Sequence, residues 1–294
     1  MTRYSTSWFS VILLVVSLSA RAAEIIACGG SRVVIFDANQ PEGANPKLTW
    51  SWDVKEATNL PPQYQKLLVP LDECKPVRTN TQLLLTSSGG GAILLDRKTR
   101  RPLFYAQVPM AHSAEMLPGE RIVVALSTHA DGNSLELYSA DQSENVLWRD
   151  PLPSGHGVIW NVKHQRLYAL GLSELRAYSL QDWESQTPSL RRENTWDIPG
   201  TSGHDLSRMS ADELLISYQE GVSVFHIPRA GFAPFTPLAN VEDVKSVNYD
   251  PQTQHLVYTK AEISWWTHHI YCLNPTKTFA FPDINLYKAR VSSP

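Results

Sequence analysis

The sequence predicts an all-β fold, a six-bladed β-propeller closed by N- and C-terminal strands that share one blade. Short apolar runs rich in Val, Ile, Leu and Tyr alternate with clusters of Asp, Asn, Gly and Pro, and helical periodicity is almost absent. Three histidine phrases recur, at 111–115, 154–157 and 202–205, and their histidines lie 44 and 48 residues apart. A period in the forties with one strand-rich unit per repeat is typical of propeller blades.

The first 23 residues have the pattern of a secretory signal peptide. Arg3 supplies a positive start, 8–20 is a nearly unbroken apolar run, and 20–23 offers small residues for cleavage. The apolar run is short for a stable membrane anchor. We therefore expect a secreted or periplasmic protein with a single propeller domain at 24–294. An alternative is a lipoprotein anchored at Cys28, because 25–28 loosely resembles a lipobox.

Composition argues against several classes of partner. Charged residues make up 19% of the chain, and the net charge of −3 comes from both signs scattered along it. Nucleic-acid binding would require a strongly basic face, and a transmembrane anchor would require a second apolar span. Nine tryptophans and eleven tyrosines suit a β-rich core or a sugar-binding surface. We expect a monomer that binds a glycan or another small molecule.

The strand-rich runs divide the chain into blades. Five whole blades begin near residues 72, 112, 156, 204 and 245, and the first three of them end near 109, 153 and 199. Three runs at 24–28, 32–36 and 48–52 are one strand short of a blade, and a lone run at 284–291 is left at the other end. Joining them completes the sixth blade and removes exposed sheet edges.

Alignment of the blades on their second strands predicts one ring of equivalent positions. His112, His156 and His204 each precede the aligned residue by ten or eleven positions. On the same register the other blades contribute polar residues, namely Glu73 to Lys75, Lys245 and Asn285. Equivalent positions in a propeller converge on the central channel, so the ring is a candidate site.

Three imidazoles on one ring could hold a divalent metal such as Mn, Zn or Ca and leave positions open for water or substrate. They could also act without metal as acid and base. A structural role is the alternative, because the Gly155-His156 and Gly203-His204 pairs resemble those of WD-type propellers, whose histidine bonds within its own blade.

A second polar and aromatic cluster lies at 258–271. It contains Lys260, Trp265, Trp266 and His268 in a loop between two strands. The tryptophan pair could stack on a sugar ring or simply plug the end of the propeller. His129 ends the equivalent strand on another blade, so it could belong to a second tier around the same mouth and joins the candidate catalytic residues.

The cysteines permit one disulfide after export. Cys28 and Cys74 fall on neighbouring blades, so we predict a bond between them. Cys272 is then left as a buried free thiol.

Several longer phrases carry a resemblance to a known family. Asp-Glu-Cys-Lys-Pro-Val at 72–77, Trp-Trp-Thr-His at 265–268, Pro-Asp-Ile-Asn-Leu-Tyr at 282–287 and the three histidine phrases look like a family of secreted bacterial propeller proteins. That family is catalogued only as a domain of unknown function, so the resemblance implies a fold without an activity. A weaker, architectural resemblance is to propeller-type polysaccharide lyases of the oligogalacturonate class, which set several histidines around a metal at the channel mouth.

Two functional hypotheses follow. The first is a lyase that acts on uronate-containing glycans by β-elimination, with a metal bound by the three histidines. Lys245 or Tyr249 would act as the base. The residues expected to bind substrate are Lys75, Lys260, His268 and the tryptophan pair. The second is a non-catalytic propeller that binds a glycan or a protein.

Overall fold

The computed structural model describes residues 23–292, so the predicted signal peptide lies outside the described residues except for Ala23. The predicted six-bladed propeller is confirmed. Blade 1 contains β1 (Glu24–Gly29), β2 (Arg32–Asp37) and β4 (Leu48–Asp53); β3 (Gly43–Ala44) leaves it to join another sheet. Blade 2 contains β5 (Leu71–Val77), β6 (Gln82–Ser87), β7 (Gly91–Asp96) and β8 (Pro102–Gln107).

The next blades follow the same plan. Blade 3 contains β9 (Ala111–Leu117), β10 (Arg121–Leu126), β11 (Ser134–Ser139) and β12 (Val146–Pro151). Blade 4 contains β13 (Gly157–Asn161), β14 (Arg166–Leu170), β15 (Glu174–Gln181) and β16 (Ser189–Asp197). Blade 5 contains β17 (Asp205–Arg208), β18 (Glu213–Tyr218), β19 (Gly221–His226) and β20 (Gly231–Pro234). Blade 6 contains β21 (Val244–Tyr249), β22 (Leu256–Lys260), β23 (His269–Leu273) and β24 (Lys277–Ala280).

The last strand closes the ring as predicted. β25 (Leu286–Ser292) pairs antiparallel with β1, with Ile25 opposite Val291, and becomes the inner strand of blade 1. The six inner strands then contact one another in turn around the axis, because β25 meets both β5 and β21. The closing strand thus ties the end of the chain to its beginning and to blades 2 and 6.

Burial on both faces explains why the middle strands are continuous apolar runs. Each blade packs between two others, so alternate side chains of one strand enter two different cores. In β2, for example, Val33 and Ile35 pack between blades 1 and 2, whereas Val34 and Phe36 pack toward blade 6. Outer strands such as β12 are largely exposed and mix polar with apolar residues.

Two features were not predicted. β3 pairs parallel with β24, so blade 6 has a fifth strand borrowed from the segment that crosses from blade 1. A short α-helix, α1 (Tyr64–Leu67), caps the core between blades 1 and 2, where Tyr64 is completely buried. Two 3-10 turns, Val54–Glu56 and Ile227–Arg229, complete the elements. Within residues 23–292, no helix is long and apolar enough to cross a bilayer.

Candidate functional site

Six side chains, one from each blade, form a ring at one mouth of the channel. The ring consists of Asp72 on β5, His112 on β9, His156 and His204 just before β13 and β17, Lys245 on β21 and Tyr287 on β25. The three predicted histidines and Lys245 are therefore brought together. Blade 2 contributes Asp72 instead of Glu73 or Lys75, and the closing strand contributes Tyr287 instead of Asn285.

β-Bulges place these residues. Leu71 and Glu73 pair with successive residues of β6, so Asp72 is an extra residue in its strand. His112, Lys245 and Tyr287 are the extra residues at the equivalent breaks in register of their own strands. His156 donates its backbone N–H to the carbonyl of Leu170, the residue that also faces Gly157. A bulge re-aims one side chain out of the alternating pattern of its strand, here into the channel.

The ring lies at the base of a cavity of about 350 Å³, which we call the cup. Its walls carry hydroxyl groups from several blades and the tryptophan pair from the loop between β22 and β23. The lining residues are Asp72, Ser88, Met110, His112, Ser127, Thr128, Ser154, His156, Leu172, Ser202, Gly203, His204, Trp265, Trp266 and Tyr287. The volume is near the lower end of the range for small-molecule sites, roughly 300–1,000 Å³.

Two of the imidazoles present a free nitrogen. His112 Nδ1 lies 3.0 Å from the carbonyl of Met110, and His156 Nδ1 lies 2.9 Å from the carbonyl of Ser154. A carbonyl only accepts, so both Nδ1 atoms carry the proton and both Nε2 atoms are acceptors in the neutral ring. Both side chains line the cup, and neither Nε2 is a buried atom without a hydrogen-bond partner among the described residues.

His204 is engaged differently. Its Nε2 accepts a hydrogen bond of 2.9 Å from Lys245 Nζ, which also lies 3.0 Å from Asp243 Oδ1. The same ammonium group lies 5.3 Å from the ring of Trp265. Lys245 therefore joins the histidine row to the aromatic wall of the cup, and Asp243 holds it in place.

The three imidazoles are neutral at pH 7. Burial lowers the pKa of each, to about 4 for His204, where the charge of Lys245 is the next largest cause; the charge of Lys288 adds a smaller effect in all three. Burial also lowers the pKa of Lys245 while Asp243 opposes that shift. Burial raises the pKa of the Asp72 carboxyl, against the effect of His112.

The histidines form a row. Ring centroids are 4.4 Å apart between His112 and His156 and 6.0 Å apart between His156 and His204. Across the described residues, no three His, Cys, Asp or Glu side chains are grouped so that they could share a metal ion. The three histidines are therefore not arranged as a preformed set of metal ligands. The row instead carries uncharged imidazole nitrogens that accept hydrogen bonds.

The glycine of the Ser-Gly-His phrases has a packing reason. A Cβ on Gly203 would come within 2.6 Å of the carbonyl oxygen of Gly171 in blade 4. Only glycine allows this close approach, which brings His204 against the preceding blade. In contrast to the WD-type alternative, His204 bonds to Lys245 of the next blade.

Paired charges fill the channel beneath the cup. Arg290 bonds to Glu73 at 2.6 Å and to Asp205 at 2.7 Å, and Lys288 Nζ lies 3.0 Å from Asp205. We call these four residues the ion plug. Burial alone would raise the pKa of Glu73, but Arg290 and Lys288 lower it to about 2, so its carboxylate is charged.

Lys75, predicted to bind substrate, lies further along β5 than Glu73 and does not line the cup. Its Nζ is 3.2 Å from Glu115 Oε2 and 2.6 Å from the carbonyl of Val158. Both of its partners belong to neighbouring inner strands, so Lys75 serves to fill the channel.

The tryptophan pair does reach the cup, and Glu262 holds its loop. The carboxylate accepts hydrogen bonds from Thr267 Oγ1, Tyr271 OH and, at 2.9 Å, His269 Nδ1. These bonds overcome the effect of burial and lower the pKa of Glu262 to about 2. The loop therefore presents Trp265, which is 59% exposed, on a fixed frame.

We expect Glu262→Gln to loosen this loop. Hydrogen bonds to a charged group contribute about 1.5–3 kcal/mol each, so local opening should become at least about tenfold more frequent. Hydrogen exchange of residues 261–268 measures it. The matched control is Glu193→Gln, which removes a carboxylate bonded to Ser179 and Arg191 in blade 4. Equal exchange of the loop in both variants would contradict the role of Glu262.

The other predicted site residues lie elsewhere. Tyr249 is at the far end of β21, where its ring packs 5.1 Å from that of Phe235. His129 is half-exposed in the loop after β10 and bonds to the backbone of Asp131. Lys260 lies over the ring of Tyr271, and His268 bonds to backbone carbonyls behind the loop. The structure therefore does not bring these four residues to the cup, and their catalytic or binding roles stay predictions.

The structure places Cys28 and Cys74 side by side in the core between blades 1 and 2. Both are buried free thiols in the structure, and burial together with a hydrogen bond to Cys74 raises the pKa of Cys28. The neighbourhood agrees with the predicted pairing, and the disulfide itself stays a prediction. Cys272 is a buried free thiol, as expected.

Sequence reasoning missed Asp72, Tyr287, Asp243 and the ion plug. Asp72 and Tyr287 lie at the ends of phrases already singled out, at 72–77 and 282–287, and only the bulges shift them into the ring. The plug joins residues as distant in sequence as Glu73 and Arg290, so no local pattern indicates it.

Comparisons with known proteins agree with this architecture. A crystal structure of a protein of unknown function from Bacteroides caccae superposes with a TM-score of 0.60 at 11% identity, covering 93% of this chain and 100% of that one. A crystal structure of a nidogen/laminin complex gives a TM-score of 0.61 at 10% identity, covering 92% and 98%. Identities this low show the fold alone.

At the sequence level, no curated protein matches the chain. A family profile does match, over residues 15–292, and its description is a family of unknown function (DUF6528). The match covers most of the chain and confirms the resemblance that the phrases indicated. The chain therefore belongs to this family of propeller proteins of unknown function.

Proposed function

We propose that the cup binds a small carboxylate-bearing ligand, of which a uronate-containing saccharide is the class that fits best. The observation that carries the proposal is the contact of Lys245 with His204 on one side and Trp265 on the other, directly behind two residues that line an open cavity. A cation is the preferred partner of a carboxylate, and an aromatic face is the preferred partner of a sugar ring. Both are present here within one site.

The remaining wall groups support a polyhydroxylated ligand. The free Nε2 atoms of His112 and His156 can accept hydrogen bonds from hydroxyl groups. The hydroxyls of Ser88, Ser127 and Ser202 line the same cavity. Two lysines, Lys245 and Lys288, are close enough to lower the pKa of the imidazoles, which supports placing the carboxylate of a ligand on the side of the cup nearest Lys245.

A second candidate function is the predicted lyase. It is favoured by the unprotonated Nε2 of His112 and His156, since β-elimination needs a base for the proton on the carbon next to the carboxylate. The electron pair of that C–H bond forms the new double bond, the bond to the β-oxygen breaks, and the leaving oxygen takes up a proton. Lys245 is held by Asp243 as an ammonium, which suits it to neutralise the carboxylate.

The divalent metal remains a separate proposal. Metal analysis of the purified protein and of His112→Ala, His156→Ala and His204→Ala tests it. Metal content lost in all three variants would support binding, and unchanged content would remove the metal role.

Calorimetric titration with galacturonate, with glucose as the neutral control, tests the binding function. Lys245→Met should weaken uronate binding by at least about tenfold, since truncating one partner of a buried charge pair costs about 2–5 kcal/mol. Lys260→Met is the matched control, because its ammonium lies over Tyr271 outside the cup. Equal affinity of the wild-type protein for both sugars would contradict the proposal.

Ultraviolet absorbance of an unsaturated product distinguishes the lyase from a binding protein.

We further propose that the mature protein begins at Glu24 and acts outside the cytoplasm. Burial of Cys28 within β1 supports this cleavage over a lipid anchor, which would remove the paired residues 24–27. N-terminal sequencing of the exported protein tests it.

A further inference from the structure

Within residues 23–292, buried charge pairs block the channel below the cup. The ion plug spans it from β25 to β5 on one side and to β17 on the other, through the guanidinium of Arg290. Glu73, Asp205 and Lys288 are completely buried, and Arg290 is 4% exposed. Separating such pairs would leave uncompensated buried charges, so the plug is a fixed floor.

A second layer closes the channel further down. Lys75 on β5 bonds to Glu115 on β9 and to the carbonyl of Val158 on β13. Ser207 Oγ donates to the carbonyl of Val247 between β17 and β21. These two layers together connect the inner strands of all six blades.

The groups that would recognise a ligand lie at the bottom of this blind cavity. His112 is 7% exposed and His204 is 6% exposed, whereas Trp265 at the rim is 59% exposed. A polymer segment that lay across the mouth would contact the rim and leave the imidazoles untouched. A polymer also cannot thread through, because the floor is closed. Only a group that enters from above and stops there can reach the ring.

We infer that the cup recognises the end of an acidic saccharide chain, or a free monosaccharide, and not an internal segment of a polymer. This inference rests on the proposed function and adds to it the way in which the ligand must enter. The terminal residue places its carboxylate toward the side of Lys245 and its hydroxyls toward the imidazoles, and the following residue leaves past Trp265.

The test measures how many protein molecules bind per chain. Wild-type protein is titrated with galacturonate, trigalacturonate and a long polygalacturonate fraction of narrow length distribution, and complexes are sized by analytical ultracentrifugation. We expect a constant number of proteins per chain at every length, so that the apparent affinity per uronate residue falls in inverse proportion to length.

The outcomes separate the two levels of the proposal. A number of bound proteins that grows with chain length would overturn chain-end recognition and leave uronate binding standing. No binding at any length, including the monomer, would overturn the proposed function and the inference together. Trp265→Ala should weaken the trimer more than the monomer, because only the trimer extends past the rim; equal weakening would contradict the path of exit.

Discussion

Replacing Arg290 by methionine is expected to lower the free energy of unfolding by about 3–5 kcal/mol, because breaking a buried ion pair leaves charges without partners. Arg290 faces two carboxylates, Glu73 and Asp205, and is the main cation between them. Chemical denaturation at pH 7 measures the change. The closing strand carries this residue, so the loss should also appear as faster exchange of the β1–β25 amides.

Two comparisons make this expectation specific. Arg191→Met removes an exposed pair with Glu193 and should cost less than about 1 kcal/mol. Adding Glu73→Gln to Arg290→Met restores the balance of charge in the plug, so the double variant should be more stable than the sum of the single changes predicts. Additive effects, or a loss as small as that of Arg191→Met, would contradict the ion plug.

The second large effect is a loss of stability in acid that depends on His204. Its pKa is about 4 in the folded protein against 6.5 for the free side chain, because burial and the charge of Lys245 disfavour the imidazolium. The unfolded chain therefore binds more protons between these values, and stability falls as the pH is lowered from about 7 to about 4. The difference between the two pKa values corresponds to a loss of roughly 3 kcal/mol in the free energy of unfolding from this residue.

His204→Gln removes the titrating group and keeps an acceptor for Lys245. We expect the free energy of unfolding of the variant, relative to wild type, to improve steadily as the pH falls through this window. Denaturation at several pH values measures it, and His129→Gln in an exposed loop is the control. A difference between variant and wild type that stays constant from pH 7 to pH 4 would contradict the buried neutral imidazole.

Much of the fold could be predicted because blades repeat. The run of Val33 to Phe36 is apolar throughout because both of its faces are covered. The unpaired strand near the C-terminal end could be assigned to blade 1 because that blade was one strand short. β3 could not be predicted. It is two residues long, and its pairing with β24 depends on where the crossing segment passes in space.

The candidate site was predictable only where its residues recur. The three histidines follow the repeat and were found, as was Lys245 on the same register. Asp72 and Tyr287 were misplaced by one or two positions, because a bulge inserts a residue without altering the apolar pattern around it. Tyr249 and His129 have suitable chemistry, yet Tyr249 lies at the far end of β21 against Phe235, and the imidazole of His129 bonds to the backbone of Asp131 in the loop after β10.

The sequence by itself determined the number of blades, the closure by both ends of the chain, and the histidine register, because all three follow from local patterns that repeat. Only the tertiary structure decided which residues complete the ring and what lies beneath it. The bulges act on single side chains, and the ion plug forms only after closure brings Arg290 beside Glu73 and Asp205. Long-range charge pairing is therefore what turns a channel into a closed cup.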